Sequence, residues 1–361
     1  VYTNGKIYTV DAARPWAEAV AIKDGAFLAV GTADEVKAFV GDNTEVVDLD
    51  GKLAMPGLHD QHVHLEQAYK PEIVGGSMLS FPPDVDSGEK AGEILKAFAE
   101  ENPDAKVLFG QSLPYAVFAD ISNAWMNEAV PDRPVVILSD TEHEGLLNTV
   151  ALNLEGINAE TAAPVGGEIG KDQSGKLTGW LMENAAGKWA WKHYPQVSPQ
   201  DHKQGLQATI AYLNSIGVTT VKQQHAKNPI ALAAQQLESE GNLNARIGLS
   251  WTWNGPLEPM PLADQEKMIA ERGRFASRQI KTEYVKLSGD GNAGSTGYVI
   301  EPYLQTGDHG IHFFSDHELA REVERFDRMG LGITIHVTGD AANRQMIDAV
   351  EYVYNKYGEL K

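Results

Sequence analysis

The chain has 361 residues, 42% of them hydrophobic, enough for one large folded domain and a smaller one, and neither a disordered nor a fibrous class fits. Fifty acidic residues against thirty basic ones give a formal charge of -20, which opposes a nucleic-acid backbone or an anionic membrane surface as partner. The absence of cysteine excludes disulfides, a thiol nucleophile and cysteine-ligated zinc, and leaves a cytoplasmic and a periplasmic location equally open. No run approaches the roughly 18 apolar residues of a membrane span. The start Val1-Tyr2-Thr3-Asn4-Gly5-Lys6 lacks the apolar core of a signal peptide, and a first residue Val1 is compatible with removal of a native leader.

Residues 1 to about 55 read as short β runs broken by turns, the N-terminal part of a small β domain. Asn4-Gly5 precedes a candidate strand from Lys6 to Val10. Glu18 to Ile22 and Ala26 to Val30 flank Asp24-Gly25, a hairpin signal. A short helix is expected over Asp34 to Val40, ending at Gly41. Val46 to Met55 reads as strand, Asp50-Gly51 turn and strand.

The next stretch, Pro56-Gly57-Leu58-His59-Asp60-Gln61-His62-Val63-His64-Leu65, organises the chain. In a strand His62 and His64 share a face, about 6.5 Å apart along the backbone, so two imidazoles there can share one metal ion. They can equally be hydrogen-bonded polar residues near a surface.

From about 70 to 200 the pattern changes several times, as in an insertion within a domain spanning 56–361. A helix is expected over Glu89 to Glu100, ending before Pro103, and buried strands over Lys106 to Gly110 and Arg133 to Ser139. His143 follows the second strand and suits either a pocket or a structural hydrogen bond. Gly166-Gly167-Glu168 and Gly175 to Glu183 read as a shaped loop, and their glycines lack the spacing of a phosphate loop.

After residue 200 helices alternate with short apolar strands. Helices near 202–215, 229–240, 262–277 and 316–329 lead into Val218 to Lys222, Ala245 to Ser250, Tyr284 to Ser288 and Ile333 to Val337. With the strand at His62 these make five parallel units, where a (β/α)8 barrel has eight, its chemistry at the strand C-terminal ends. Lys286 lies inside one of these strands; an ion pair with Asp290 or a snorkelling stem would serve it, as would modification to a metal-bridging carbamate. His336 ends another strand before Gly339-Asp340 and can face the same barrel mouth. His336 alone suits a ligand or a hydrogen-bonding residue equally, but three histidines and a buried lysine on the ends of these strands make a better case than any one alone for a divalent metal, which activates water and polarises carbonyls. Trp180, Trp189, Trp191, Trp251 and Trp253 are compatible with an aromatic ligand, though packing is their commoner use.

The chain resembles the amidohydrolase superfamily, specifically the branch containing N-substituted formamide deformylase and many uncharacterised metal-dependent hydrolases. The resemblance runs across nearly the whole chain. It is carried by Met55 to His64, Asp132-Arg133-Pro134-Val135 through His143, Thr178-Gly179-Trp180-Leu181-Met182-Glu183, Val285 to Gly291 and His336 to Ala342. It implies an α/β fold, a TIM-like (β/α)8 barrel with about five units in this chain, beside a small β-sandwich-like domain. It implies that His62 and His64 hold the more buried metal, that Lys286 is a carboxylated bridging ligand, and that His336 serves a second metal. His143 and Glu183 are implied as substrate-pocket positions. The implied cofactor is one or two divalent ions, zinc first. The implied activity is hydrolysis of an amide or formamide-like C–N bond in a small molecule, with a C–O hydrolase, an isomerase or a non-catalytic small-molecule binder as rivals. A homo-oligomer is compatible with all of these. The pattern also expects a histidine on the sixth barrel strand and an aspartate on the eighth, neither of which can be placed before Lys361, so the expectation is a truncated form of a longer protein, with a missing half supplied by another chain as the alternative.

Overall fold

A computed structural model describes the chain except residues 66–77, 115–116, 118–121, 165, 196, 255–259, 293–295 and 305. Two compact units are present, Val1–His59 with Ile216–Thr220, and Asp60–Ser215 with Val221–Lys361.

In the first unit, strands β1 (Tyr2–Thr3), β2 (Lys6–Tyr8), β3 (Trp16–Ala17), β4 (Ala19–Lys23), β5 (Ala26–Gly31), β6 (Val47–Asp48) and β7 (Leu53–Ala54) form two sheets, ordered β5-β4-β1-β6 and β3-β2-β7. Asp24 and Gly25 both have positive φ, 52° and 73°, the backbone a two-residue hairpin needs to match the strand twist. They close β4 onto β5 as the sequence signal requires. Asn4-Gly5 and Asp50-Gly51 act differently: each turn carries the chain from one sheet to the other, so that β1 lies parallel to β6 and β2 parallel to β7. Ile7, Ala17 and Val20 form one small core, and Ala19, Ala21 and Val36 another. Val36 is supplied by the helix Ala33–Lys37, which Thr32 and Glu35 close with a reciprocal capping box.

Strand β8 (Leu58–Val63) follows. A six-stranded mixed sheet then contains β9 (Met78–Ser80), β10 (Leu108–Leu113), β11 (Val135–Ser139), β12 (Glu144–Leu147), β13 (Gly167–Lys171) and β14 (Leu177–Glu183), ordered β13-β14-β12-β11-β10-β9. Alternate residues of β11 feed opposite cores: Val135 and Ile137 pack with the helices Gly88–Glu101 and Ala124–Ala129, Val136 and Leu138 with Thr149–Leu154 and Asn184–Trp189. All four are fully buried, each contributing on the order of 1.5–3 kcal/mol.

The expectation of a loop over Gly166 to Glu183 is corrected: β13 and β14 are an antiparallel hairpin. The Asp172 carboxylate accepts from the amides of Ser174 and Lys176, which builds the turn. Gly179, which reads as a breaker, lies where β14 passes the next strand so closely that a Cβ would sit 2.2 Å from the Leu147 carbonyl oxygen.

The second sheet runs β8, β15 (Val218–Ala226), β16 (Arg246–Thr252), β17 (Ile280–Ser288), β18 (Gly332–His336). Spatial order equals chain order, and β16–β17 and β17–β18 pair in parallel. The helices Pro199–Ser215, Asn228–Ser239, Leu262–Ala270 and Asp316–Arg328 precede the last four strands. This is the winding of a partial (β/α) barrel, with five strands in this sheet among the described residues. Tryptophans 189, 251 and 253 are buried packing residues; Trp251 lies against Phe275 and Trp253 against Phe326. Among the described residues, no helix is long and apolar enough to cross a membrane.

Candidate functional site

His62 is in β8 and His64 just beyond it, and their ring centroids lie 5.4 Å apart. Two adjacent glutamines of β15 hold this segment. Gln224 Nε2 donates to the Gln61 carbonyl at 3.0 Å, and Gln223 Oε1 accepts from the Leu65 amide at 2.6 Å. The backbone is therefore pinned on both sides of the histidine pair. Within β15, His225 takes a positive φ of 54°, and its ring stacks on His64 with centroids 5.9 Å apart. Burial pushes the pKa of His64 down to about 4, with the charges of His62, Lys286 and His336 adding to it. Burial and Lys286 also lower His62, and lower His225 well below the ordinary histidine range. Each of these shifts favours the neutral ring, the form in which imidazole binds a metal.

Lys286, on β17, is 1% exposed, and its Nζ has no hydrogen-bond partner among the described residues. Burial first, and then the charge of the nearby Lys222, lower its pKa to about 8. The ion pair with Asp290 that the sequence allows is not formed. Asp290 instead accepts from the amides of Tyr298, Thr338 and Gly339 and from the Thr338 hydroxyl, all within 3.1 Å. Lys222, on β15, donates to Thr334 Oγ1 at 3.0 Å and lies 4.1 Å from the centre of the Tyr284 ring.

His336 ends β18, its Nε2 3.3 Å from the Gly291 carbonyl oxygen. Burial and Lys286 lower its pKa more than that contact raises it. The His143 ring lies 5.6 Å from the His336 ring. His143 precedes β12, Glu183 ends β14, and the pairing of these strands brings them together: His143 Nδ1 lies 2.8 Å from Glu183 Oε2. Burial opposes charge on His143, but the hydrogen bond and charge of Glu183, with Glu144 and Glu142 behind it, outweigh burial and raise its pKa.

The six residues singled out from the sequence thus fall into two neighbouring pairs of rings, His62 with His64 and His143 with His336, around the electrostatic reach of Lys286, with Glu183 behind His143. The sequence reading missed His225 and Lys222. The alternation of Val218 to Ala226, in which Lys222 and Gln224 share a face, carried a signal for Lys222 but none for His225, which falls on the other parity, and the polar run Lys222-Gln223-Gln224-His225 does not resemble a buried strand. Among the described residues no three His, Cys, Asp or Glu side chains converge into a ready metal cluster. The chemistry of the donors nonetheless suits a divalent ion: the imidazoles of His62, His64 and His336, whose shifts favour the neutral ring, lie within electrostatic range of the buried Lys286 amine, and no carboxylate of the described residues hydrogen-bonds that amine.

A family profile described as the amidohydrolase family matches residues 45–360, and the chain belongs to that family. It is 28% identical to protein LONG AFTER FAR-RED 3 of Arabidopsis thaliana, over 99% of this chain and 62% of the relative. It is 26% identical to N-substituted formamide deformylase of Arthrobacter pascens, over 97% of this chain and 65% of the relative. The chain therefore spans somewhat less than two thirds of these relatives. The fold matches that of an uncharacterized metal-dependent hydrolase from Pyrococcus horikoshii OT3 with a TM-score of 0.68 at 24% identity, covering 97% of this chain and 67% of that one.

Proposed function

We propose that this chain carries the metal site of a hydrolase that cleaves a C–N bond, amide or formamide-like, in a small molecule. The observation that carries the reading is Lys286: a fully buried amine with no hydrogen-bond partner among the described residues, within electrostatic range of imidazoles whose shifts favour the neutral ring. An unpaired ammonium in that position is costly; once it has lost a proton to solvent, the free amine would react with CO2, its nitrogen bonding to the carbon as a second proton leaves, to give an anionic carbamate ligand that a cation can satisfy. His62, His64, Lys286 and His336 would hold one or two divalent ions, zinc first by donor type. Bound there, such an ion supplies Lewis acidity toward a carbonyl and lowers the pKa of water. The protein's own contribution is to hold the imidazoles neutral through burial and to pin His62 and His64 through Gln223 and Gln224. His143 and Glu183 would line the substrate pocket. The similarity to N-substituted formamide deformylase supports the choice of amides and formamides as the first substrates to try.

The test is metal content per chain after purification without added metal, together with turnover of an amide and formamide panel before and after chelation. One to two equivalents of metal, lost in Lys286→Ala, and chelator-sensitive turnover are expected. Chelator-insensitive turnover, or metal retained in full by Lys286→Ala, overturns the reading.

A further inference from the structure

Glu183 ends β14 with φ 49° and ψ −121°, a region that non-glycine residues adopt only at a cost in backbone strain. Its side chain is 5% exposed and fully engaged. Oε1 accepts from Thr296 Oγ1 at 2.6 Å and from the Asn292 amide at 3.1 Å, and Oε2 takes the His143 Nδ1 bond. The Glu183 amide also donates to the His143 carbonyl oxygen at 2.8 Å. Thr296 and Asn292 belong to the segment that follows β17, the strand of Lys286. Room for this junction depends on Gly291, where a Cβ would meet Thr296 Oγ1 at 2.4 Å and Glu183 Oε1 at 2.8 Å. One strained residue thus ties the six-stranded sheet, through His143, to the end of the Lys286 strand.

An accepting carboxylate on Nδ1 places a proton there, and Nε2 becomes the ring nitrogen left for a ligand. The His143 side chain keeps 28% of its surface exposed, next to His336. We propose that Glu183 is a positioning residue: it fixes the orientation and the proton of His143 so that Nε2 meets the amide group of the substrate beside His336. The nature of the ligand rests on the hydrolase reading above; the fixed ring does not.

The experiment is Glu183→Gln in the full chain, read by 15N NMR of labelled histidines and by kinetics on N-alkylformamides. Glutamine keeps the shape and the acceptor toward Thr296 and Asn292, but offers an N–H toward Nδ1. The proton of His143 is expected to move from Nδ1 to Nε2, and KM to rise about tenfold with a smaller change in kcat, the scale of one lost hydrogen bond. Thr296→Val, which removes only an anchor, keeps the Nδ1 proton and raises KM less. An unchanged His143 spectrum in Glu183→Gln overturns the positioning role. An inverted spectrum with unchanged KM overturns the substrate contact. Should the wild type hydrolyse none of the amides, the hydrolase reading fails separately, and titration with N-methylformamide decides the contact: a shift at His143 Nε2 in wild type, lost in Glu183→Gln, supports it, and no shift overturns it.

Discussion

Lys286 and Asp290 are four residues apart, both buried, and they go separate ways: the carboxylate is consumed by three backbone amides and a hydroxyl, and the amine has no hydrogen-bond partner among the described residues. The obvious neutralising partner in sequence is thereby committed to holding the start of the helix Asp340–Tyr357, through Thr338 and Gly339. A buried amine without a counter-charge is a poor structural element, and its burial therefore calls for a function.

Replacing that amine should stabilise the metal-free protein. Lys286→Met keeps the stem and removes the desolvated nitrogen, with an expected gain of about 1–3 kcal/mol by urea unfolding in the presence of chelator. A loss of stability would mean that the nitrogen is satisfied in solution by a group not bonded to it in this structure.

The opposite sign is expected at Asp290. Asp290→Ala leaves the amides of Tyr298, Thr338 and Gly339 without their acceptor and should cost about 3–5 kcal/mol. Asp290→Asn, which keeps one oxygen, should cost less. Equal unfolding midpoints for wild type and Asp290→Ala would refute this account of the carboxylate.

His225 supplies a third prediction. Its ring stacks on His64, and Gln223 and Gln224, just before it, hold the backbone around His62 and His64. Under the proposed function, His225→Ala should weaken zinc binding about 10–100-fold, the usual effect of removing a group that orients a ligand, with little change in fold by circular dichroism. Zinc affinity equal to wild type by competition titration would place His225 outside the site.

The parts of this molecule visible in sequence are those governed by local patterning. The four βα repeats after residue 200 show as apolar runs behind amphipathic helices, and the Asp24-Gly25 hairpin shows because φ must be positive at both positions. That the His62 and His64 rings lie side by side was legible from the two-residue period of a strand. The pairing of His143 with Glu183 was not, because 40 residues separate them and only the β12–β14 register joins them. The β13–β14 hairpin was hidden by its own glycines: Gly170 and Gly179 serve close packing within the strands, and Gly175, with φ 84° and nothing within 4 Å of a Cβ, serves the turn between them. His225 escaped because a strand facing a polar site loses the apolar signature by which strands are read.

Acid titration gives the last prediction, on the two helices flanking β18. Glu324 receives Lys356 Nζ at 2.8 Å and the Tyr357 hydroxyl at 2.5 Å, and these hydrogen bonds hold its carboxyl pKa below the usual value. A folded pKa below the unfolded one means that the unfolded chain takes up the proton first as pH falls. The stabilisation is therefore complete above the unfolded carboxylate range, near pH 4.3, and is lost as pH drops through the lower folded value. Glu324→Gln should be less stable than wild type at neutral pH, and the gap should close in acid. Because the ion pair lies at the surface, the gap should also shrink in high salt. Thermal unfolding of both proteins across that pH range decides it: a gap that stays constant, or widens, as pH falls would show that the carboxylate charge contributes nothing to joining the two helices.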